Sequence, residues 1–110
     1  MDRLALLKQM LEQSPGDAFL LFALAKEYEG RNELQAALAY YEQLVNTDPD
    51  YVGVYYHLGK LQERVELPPA QAFATYTKGM ATAQKMSDRH AYNELAAARL
   101  QLGDEDDFDN

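Results

Sequence analysis

The sequence contains no cysteine, and other side chains that could form a reactive centre are few. Without cysteine there are no disulfides, thiolate zinc sites or thiol nucleophiles, so packing alone must hold the fold. Two histidines, His57 and His90, and two serines, Ser14 and Ser87, leave almost no material for a nucleophile and base pair. Neither a glycine-rich phosphate loop nor a paired metal-ligand spacing is present. The sequence therefore predicts a protein that is not an enzyme, with no catalytic residue, metal or cofactor.

Long apolar runs are also missing. The longest, residues 18–25, is far too short to span a bilayer. Near the start of the chain, Asp2 and Lys8 interrupt the stretch in which a signal peptide needs unbroken apolar residues. We expect a soluble, unexported protein of the cytoplasm, where a chain without cysteine fits the reducing conditions.

Positive charge is scarce, because 10 Lys and Arg face 18 Asp and Glu, giving a formal net charge of −8. Five of the acidic residues lie in residues 104–110, so residues 1–103 are only mildly acidic. Affinity for nucleic acids comes largely from Lys and Arg that neutralise phosphates, so we expect neither DNA nor RNA as a partner. The acidity favours solubility as its ordinary role, with a basic partner surface as the alternative.

The composition and the spacing of apolar residues predict helices. Unbranched side chains and Ala outnumber the β-branched ones, which favours helix over sheet. Apolar residues recur at steps of three and four in LALLKQML, FLLFALAKEY, LQAALAYYEQLV, VYYHLGKL and AFATYTKGM. Clusters of Pro, Gly and Asn separate these segments. We expect Asp17 to cap the second helix and Asn32, with Gln35, to form a capping box for the third. Ser87 or Asp88 should cap the last helix.

A repeat of 34 residues runs through the chain. Eight pairs of equal or similar residues are separated by this one step: Leu7 and Tyr41, Met10 and Leu44, Pro15 and Pro49, Leu21 and Tyr55, Phe22 and Tyr56, Leu24 and Leu58, Ala25 and Gly59, Lys26 and Lys60. A fixed period of this length is typical of repeat architectures, in which each unit is one pair of helices.

The repeated positions resemble the tetratricopeptide repeat, with a large apolar residue, Leu-Gly or Leu-Ala, Tyr, a second helix with Ala-x3-aromatic, and Pro. Residues 18–49 match one complete copy. The second copy departs from the pattern at Gln62, where Tyr is expected, and holds an extra residue in the loop around residues 67–69. Residues 2–13 and the segment after residue 88 resemble half repeats. Small residues, Ala25, Ala37 and Gly59, should lie where helices cross closely.

This resemblance implies an all-α, right-handed superhelix of about six antiparallel helices. Residues 1–103 are expected to form a single domain, and residues 104–110 an acidic, disordered tail. Phe108 is an unusual apolar residue in this tail and could dock on a partner or on the protein's own groove.

The resemblance also implies a binding surface. In tetratricopeptide proteins the first helix of each pair lines the concave face, and the residues between its packing positions point at the ligand. Those positions hold Phe19, Phe22, Lys26, Tyr56, Lys60, Arg64 and Asn93. Aromatic rings offer contact area with little rotamer entropy to lose, and the lysines offer cations in an acidic molecule. The plainer interpretation is that Lys26 and Lys60 pair with Glu29 and Glu63 on their own helices.

The implied function is a non-enzymatic scaffold or adaptor that binds an unidentified partner protein or peptide in the groove. The clamp that binds a chaperone's C-terminal carboxylate in some members of the family is not reproduced, because Phe22 and Lys26 stand where Lys and Asn are required. The alternative is a homo-oligomer, formed through apolar surface that the terminal helices leave uncovered. Leu95, Leu100 and Leu102 in the last helix are the residues that suggest it.

Overall fold

The computed structural model describes residues 2–108, which form seven helices and no strand. The helices are α1 (Arg3–Gln13), α2 (Ala18–Gly30), α3 (Leu34–Thr47), α4 (Gly53–Arg64), α5 (Pro69–Lys85), α6 (Arg89–Leu102) and α7 (Glu105–Phe108). The chain divides into two compact units, Met1–Tyr51 with α1–α3 and Val52–Asn110 with α4–α7. The all-α prediction is confirmed for the described residues, and the single domain over residues 1–103 stays a prediction.

The seventh helix lies in the acidic segment, where a disordered tail was expected. Within this segment, residues Glu105–Phe108 are helical. The ring of Phe108 packs against the ring of Phe73 in α5, with 4.6 Å between the centroids. The composition of this segment is dominated by its acidic residues, so sequence reasoning gives little weight to one half-buried aromatic contact. The last two residues of the predicted tail, 109 and 110, lie outside the described residues.

Carboxylates cap the starts of three helices. The Leu20 N–H donates to Asp17 Oδ1 at 3.1 Å, and the Ala91 N–H donates to Asp88 Oδ1 at 3.0 Å, as predicted from the sequence. Asp2 caps α1 in the same way. Each cap satisfies one of the four N–H groups that a helix start leaves without a partner inside the helix.

The predicted capping box at Asn32 and Gln35 is wrong. Asn32 has a φ of 61° and follows α2, while Glu33 precedes α3 without a side-chain cap hydrogen bond. The same left-handed turn recurs at Glu66 after α4 and at Ser87 after α5. In each turn the next N–H donates to a carbonyl five residues earlier, which satisfies the last carbonyls of the helix. Asn32 therefore ends a helix rather than starting one.

In the first unit, α2 packs on both α1 and α3. The side chains of Leu21, Leu24 and Ala25 on α2 are fully buried, as are Ala37 and Tyr41 on α3. The two alanines, which were predicted to lie where helices cross closely, are therefore in the interior of the unit. Removing these apolar surfaces from water is the main stabilising contribution to such a helix pair.

In the second unit, glycines permit a close approach of α4 and α5. A Cβ atom at Gly59 would lie 2.2 Å from Cε1 of Tyr76, and one at Gly79 would lie 2.5 Å from Cβ of Tyr55. The rings of Tyr55 and Tyr76 are almost fully buried and fill the space that the missing side chains leave. Gly59 therefore has the packing role that the repeat predicted.

Gln62, the departure from the repeat pattern, is accommodated by a hydrogen bond. Its side chain is buried, and its Oε1 accepts from the hydroxyl of Thr75 on α5 at 2.7 Å. In the first unit, Tyr28 stacks on Tyr40 with 5.6 Å between the ring centroids. Gln62 follows Tyr28 by 34 residues and Thr75 follows Tyr40 by 35. A polar pair thus replaces a stacked aromatic pair at the same place in the repeat.

Candidate functional site

One face of α2 in the first unit carries three of the predicted site residues. Phe19, Phe22 and Lys26 follow one another at steps of three and four, which places them along one side of the helix. The Phe19 side chain is 65% exposed, and Lys26 is also exposed. The fully buried residues of α2 lie at other helical positions, so helix packing within the unit leaves Phe19 and Lys26 exposed.

The ring of Phe22 is half-buried because it packs against two tyrosines of the same unit. The ring centroid of Phe22 lies 6.1 Å from that of Tyr41 and 5.6 Å from that of Tyr51. Such tilted aromatic pairs contribute about 0.5–1.5 kcal/mol beyond the apolar area that they bury. The ring of Phe22 is therefore fixed in place, while the Phe19 ring, one helical turn earlier, stands out into solvent.

The corresponding face of α4 in the second unit carries Tyr56, Lys60 and Arg64. These residues follow one another at steps of four. The Lys60 Nζ lies 5.6 Å from the centre of the Tyr56 ring, and both side chains are half-buried. An ammonium group at this distance is attracted by the face of the ring. The arrangement therefore presents a cation and an aromatic ring side by side, with the exposed Arg64 one turn further along.

The seventh predicted residue, Asn93, lies on α6. It is exposed and lines an open cleft of about 720 Å³ together with Ser87, Asp88, Arg89 and Tyr92. The cleft follows the turn between α5 and α6, and most of its lining is polar or charged. The structure thus places the seven predicted residues in three groups: three on α2, three on α4 and one on α6.

Sequence reasoning missed a pair of hydrogen bonds that involve Glu29 and Glu63. The hydroxyl of Tyr41 on α3 donates to Glu29 Oε1 at 2.7 Å, and the hydroxyl of Tyr76 on α5 donates to Glu63. Both carboxylates, which the sequence suggested as partners of Lys26 and Lys60, accept hydrogen bonds from buried tyrosines. The signal that could have found them is the recurrence of Glu after 34 residues and of Tyr after 35.

Burial and the hydrogen bond to a carboxylate raise the pKa of both tyrosines far above their ordinary value. Burial contributes most for Tyr41, followed by the hydrogen bond to Glu29 and the charge of that carboxylate. The same order of causes raises the pKa of Tyr76 beside Glu63. Each phenol therefore stays protonated and acts as a hydrogen-bond donor that joins the two helices of a pair.

The two histidines weighed for catalysis lie on different helices, His57 on α4 and His90 on α6. His57 lies edge-on against the ring of Tyr56, with 5.8 Å between the centroids, and His90 is exposed at the start of α6. Among residues 2–108, no group of three His, Cys, Asp or Glu side chains could hold a metal ion. In the same part of the chain, no helix is long and apolar enough to cross a membrane.

Two of the solved structures similar to this chain are tetratricopeptide repeat domain proteins. A crystal structure of a tetratricopeptide repeat domain protein from Salinibacter ruber is 43% identical, with a TM-score of 0.74 over 78% of this chain and 94% of that one. A solution structure with the same description and organism is 42% identical, with a TM-score of 0.75 over 81% of this chain and 89% of that one. A solution structure of a Bordetella parapertussis protein is 28% identical, with a TM-score of 0.78 over 99% and 94% of the two chains.

No protein-family model matches the chain, and no curated protein matches it. The solved structures nevertheless confirm the resemblance that the 34-residue spacing predicted, and with it the all-helical repeat architecture.

Proposed function

This chain belongs to the tetratricopeptide repeat family, and from that premise we propose that it is a non-enzymatic scaffold that binds a partner protein or peptide on its first helices. The proposed groove residues are those expected from the sequence: three on α2, three on α4 and Asn93 on α6. The observation that carries this proposal is the exposed ring of Phe19, on the same side of α2 as the exposed Lys26.

Each face combines aromatic contact area with positive charge. On α2 the aromatic residues are Phe19 and Phe22, and the cation is Lys26; on α4 the aromatic residue is Tyr56, with Lys60 beside it. Rigid aromatic side chains bind with a small loss of conformational entropy, and rings of this kind are enriched among the residues that dominate binding energies. Cations in a chain of net charge −8 favour a local segment with the opposite charge. The proposed ligand is therefore a segment with apolar side chains and carboxylates.

The experiment is an affinity pull-down from the native cell extract with wild type and the variant Lys26→Glu/Lys60→Glu. We expect the partner to be retained by the wild type and lost by the variant, because two charge reversals repel an acidic segment. The matched control is Lys78→Glu/Lys85→Glu, which makes the same change in net charge on α5, the second helix of its pair. Circular dichroism checks that both variants are folded. If the variant Lys26→Glu/Lys60→Glu still retains the partner, or if the control loses it equally, the groove assignment is contradicted.

Self-association is the second candidate function, favoured by exposed apolar side chains on the terminal helices. Leu6 and Met10 lie one turn apart on α1 and are 48% and 44% exposed, while Leu100 on α6 is 72% exposed. A second copy could cover such surfaces. Sedimentation of the wild type at increasing concentration distinguishes the candidates, because a mass that stays at the monomer value removes self-association. The proposal includes no nucleic-acid ligand, and it keeps the cytoplasm as the location expected from the sequence.

A further inference from the structure

Helix α7 is too short to be stable alone. Isolated helices of fewer than about 12 residues are marginal in water, because the first turn fixes several residues for a single hydrogen bond. The order of residues 105–108 must therefore come from the surface on which they lie. That surface is formed by Phe73 and Thr77 of α5 and Arg99 of α6, and we call these three residues the tail seat.

Arg99 contacts both other residues of the tail seat and also lies close to Glu105 of α7. Its guanidinium carbon lies 5.0 Å from the centre of the Phe73 ring, and its Nη1 donates to the Thr77 hydroxyl at 3.1 Å. The same Nη1 lies 3.9 Å from Oε1 of Glu105. The ring of Phe108 packs against the ring of Phe73 in a tilted arrangement. A carboxylate and an aromatic ring, three residues apart on one helical turn, thus engage a cation and an aromatic ring on the seat.

A glycine turn directs the segment onto the seat. Gly103 has a φ of 149°, and a Cβ atom there would lie 2.6 Å from Oδ2 of Asp107 and 3.2 Å from the Phe108 ring. The Asp104 N–H donates to Asp107 Oδ2 at 2.9 Å, which closes the turn. Only glycine reaches this conformation without strain and leaves room for the returning side chains.

The bound segment remains accessible. The Glu105 side chain is 79% exposed, Phe108 is half-buried, and the ion pair to Arg99 is long. Exposed ion pairs contribute little to stability, so the Phe108 contact carries most of the attachment. Shallow contacts of this kind can exchange with an equivalent segment from another molecule.

We propose that the tail seat is a docking site for acidic segments of the form Glu-x-x-Phe, and that residues 104–108 occupy it in cis until a partner segment displaces them. The seated residues themselves identify the ligand chemistry: a carboxylate for Arg99 and a ring for Phe73, three positions apart. The seat shares no residue with the proposed groove, so the proposal stands independently of the groove assignment.

The test measures binding of an acetylated and amidated peptide with the sequence of residues 103–108 to the full chain. Wild type is compared with Phe108→Ala, which empties the seat, by following backbone amide signals during titration. A segment tethered by a short linker has an effective concentration in the millimolar range, so it competes strongly with a peptide that binds at about 0.1 mM. We expect Phe108→Ala to bind the peptide at least about tenfold more tightly than wild type does. The signals of Phe73, Thr77 and Arg99 should shift.

Three controls define the site. A peptide with alanine in place of the phenylalanine should lose binding to the Phe108→Ala chain, and Phe108→Ala/Phe73→Ala should not bind the original peptide. Adding Met86→Ala instead, which removes an exposed apolar side chain from the turn after α5, should leave binding unchanged. A second way to open the seat is Glu105→Gln, which keeps the ring and should give an intermediate gain in affinity.

The proposal is overturned if Phe108→Ala and wild type bind the peptide equally, or if neither binds it at millimolar concentration. In that case α7 only completes the fold of its unit. A dimer of the wild type that Phe108→Ala abolishes would also overturn it, because the seat would then accept residues 104–108 of a second copy.

Discussion

Replacing Tyr41 or Tyr76 by phenylalanine removes one hydroxyl from a buried helix contact and should lower the free energy of unfolding. Tyr41 donates to Glu29 at 2.7 Å, and Tyr76 donates to Glu63. A hydrogen bond to a charged group contributes about 1.5–3 kcal/mol. Both carboxylates are half-buried, so water can replace part of the lost bond. We therefore expect each substitution to cost about 1–1.5 kcal/mol.

The same two tyrosines should make the free energy of unfolding depend on pH in the alkaline range. The pKa of each tyrosine is raised above 10.0, mainly by burial. The unfolded chain therefore releases its phenolic protons first, so the stabilisation is complete below pH 10 and is lost as pH rises above it. Each tyrosine lowers the unfolding free energy by up to about 1.4 kcal/mol per pH unit in this range. Tyr41→Phe/Tyr76→Phe should lose stability less steeply there.

The assay is urea denaturation followed by circular dichroism, at pH 7 and in steps from pH 9.5 to 11.5. Tyr92→Phe is the matched control at pH 7, because it deletes a hydroxyl from a half-buried tyrosine that lines the open cleft. Comparing the double variant with the wild type at each pH cancels the contribution of the lysines to the pH dependence, because both proteins have the same lysines. The reasoning is refuted if the two core substitutions cost no more than the control, or if the double variant retains the alkaline slope of the wild type.

Two further predictions concern the backbone of the repeat. Gly59→Ala should destabilise the protein by about 1–3 kcal/mol, since the new methyl group would overlap the Tyr76 ring. Gly30→Ala, which meets no atom within 4 Å, should instead be neutral or stabilising by up to about 1 kcal/mol; thermal denaturation that gives both changes the same sign would contradict the close approach of α4 and α5. Glu66→Gly should stabilise by about 1 kcal/mol, because a left-handed φ of 61° strains a residue with a side chain. A lower urea midpoint for this variant would show that the turn depends on the Glu66 side chain.

The apolar spacing was sufficient to predict helices α1–α5, because helical periodicity and burial coincide in a repeat, and the family resemblance added α6. The small residues were also predictable, since Gly59 recurs at the position of Ala25 and both are buried. Asn32 misled because the same residue type favours a helix start and a left-handed helix end. Only the backbone conformation distinguishes the two.

The site was predictable as a set of helix positions, and the contacts between its side chains were not. The 34-residue step placed Lys26 and Lys60 at equivalent positions, yet nothing in the spacing indicated that Lys60 lies over Tyr56. Pairing within one helix suggested Glu29 as a partner of Lys26. The hydrogen bond from Tyr41 comes from a different helix, so only the packed pair reveals it.

The proposal that partners bind on the first helices can be tested most directly by photo-crosslinking in native cells. A photoreactive phenylalanine analogue is placed at Phe19, at Tyr56 and, as the control, at Met86, which is 49% exposed in the turn after α5. We predict that Phe19 and Tyr56 crosslink to the same partner and that Met86 does not. Crosslinks only from Met86, or different proteins captured from the two first-helix positions, would contradict a common groove.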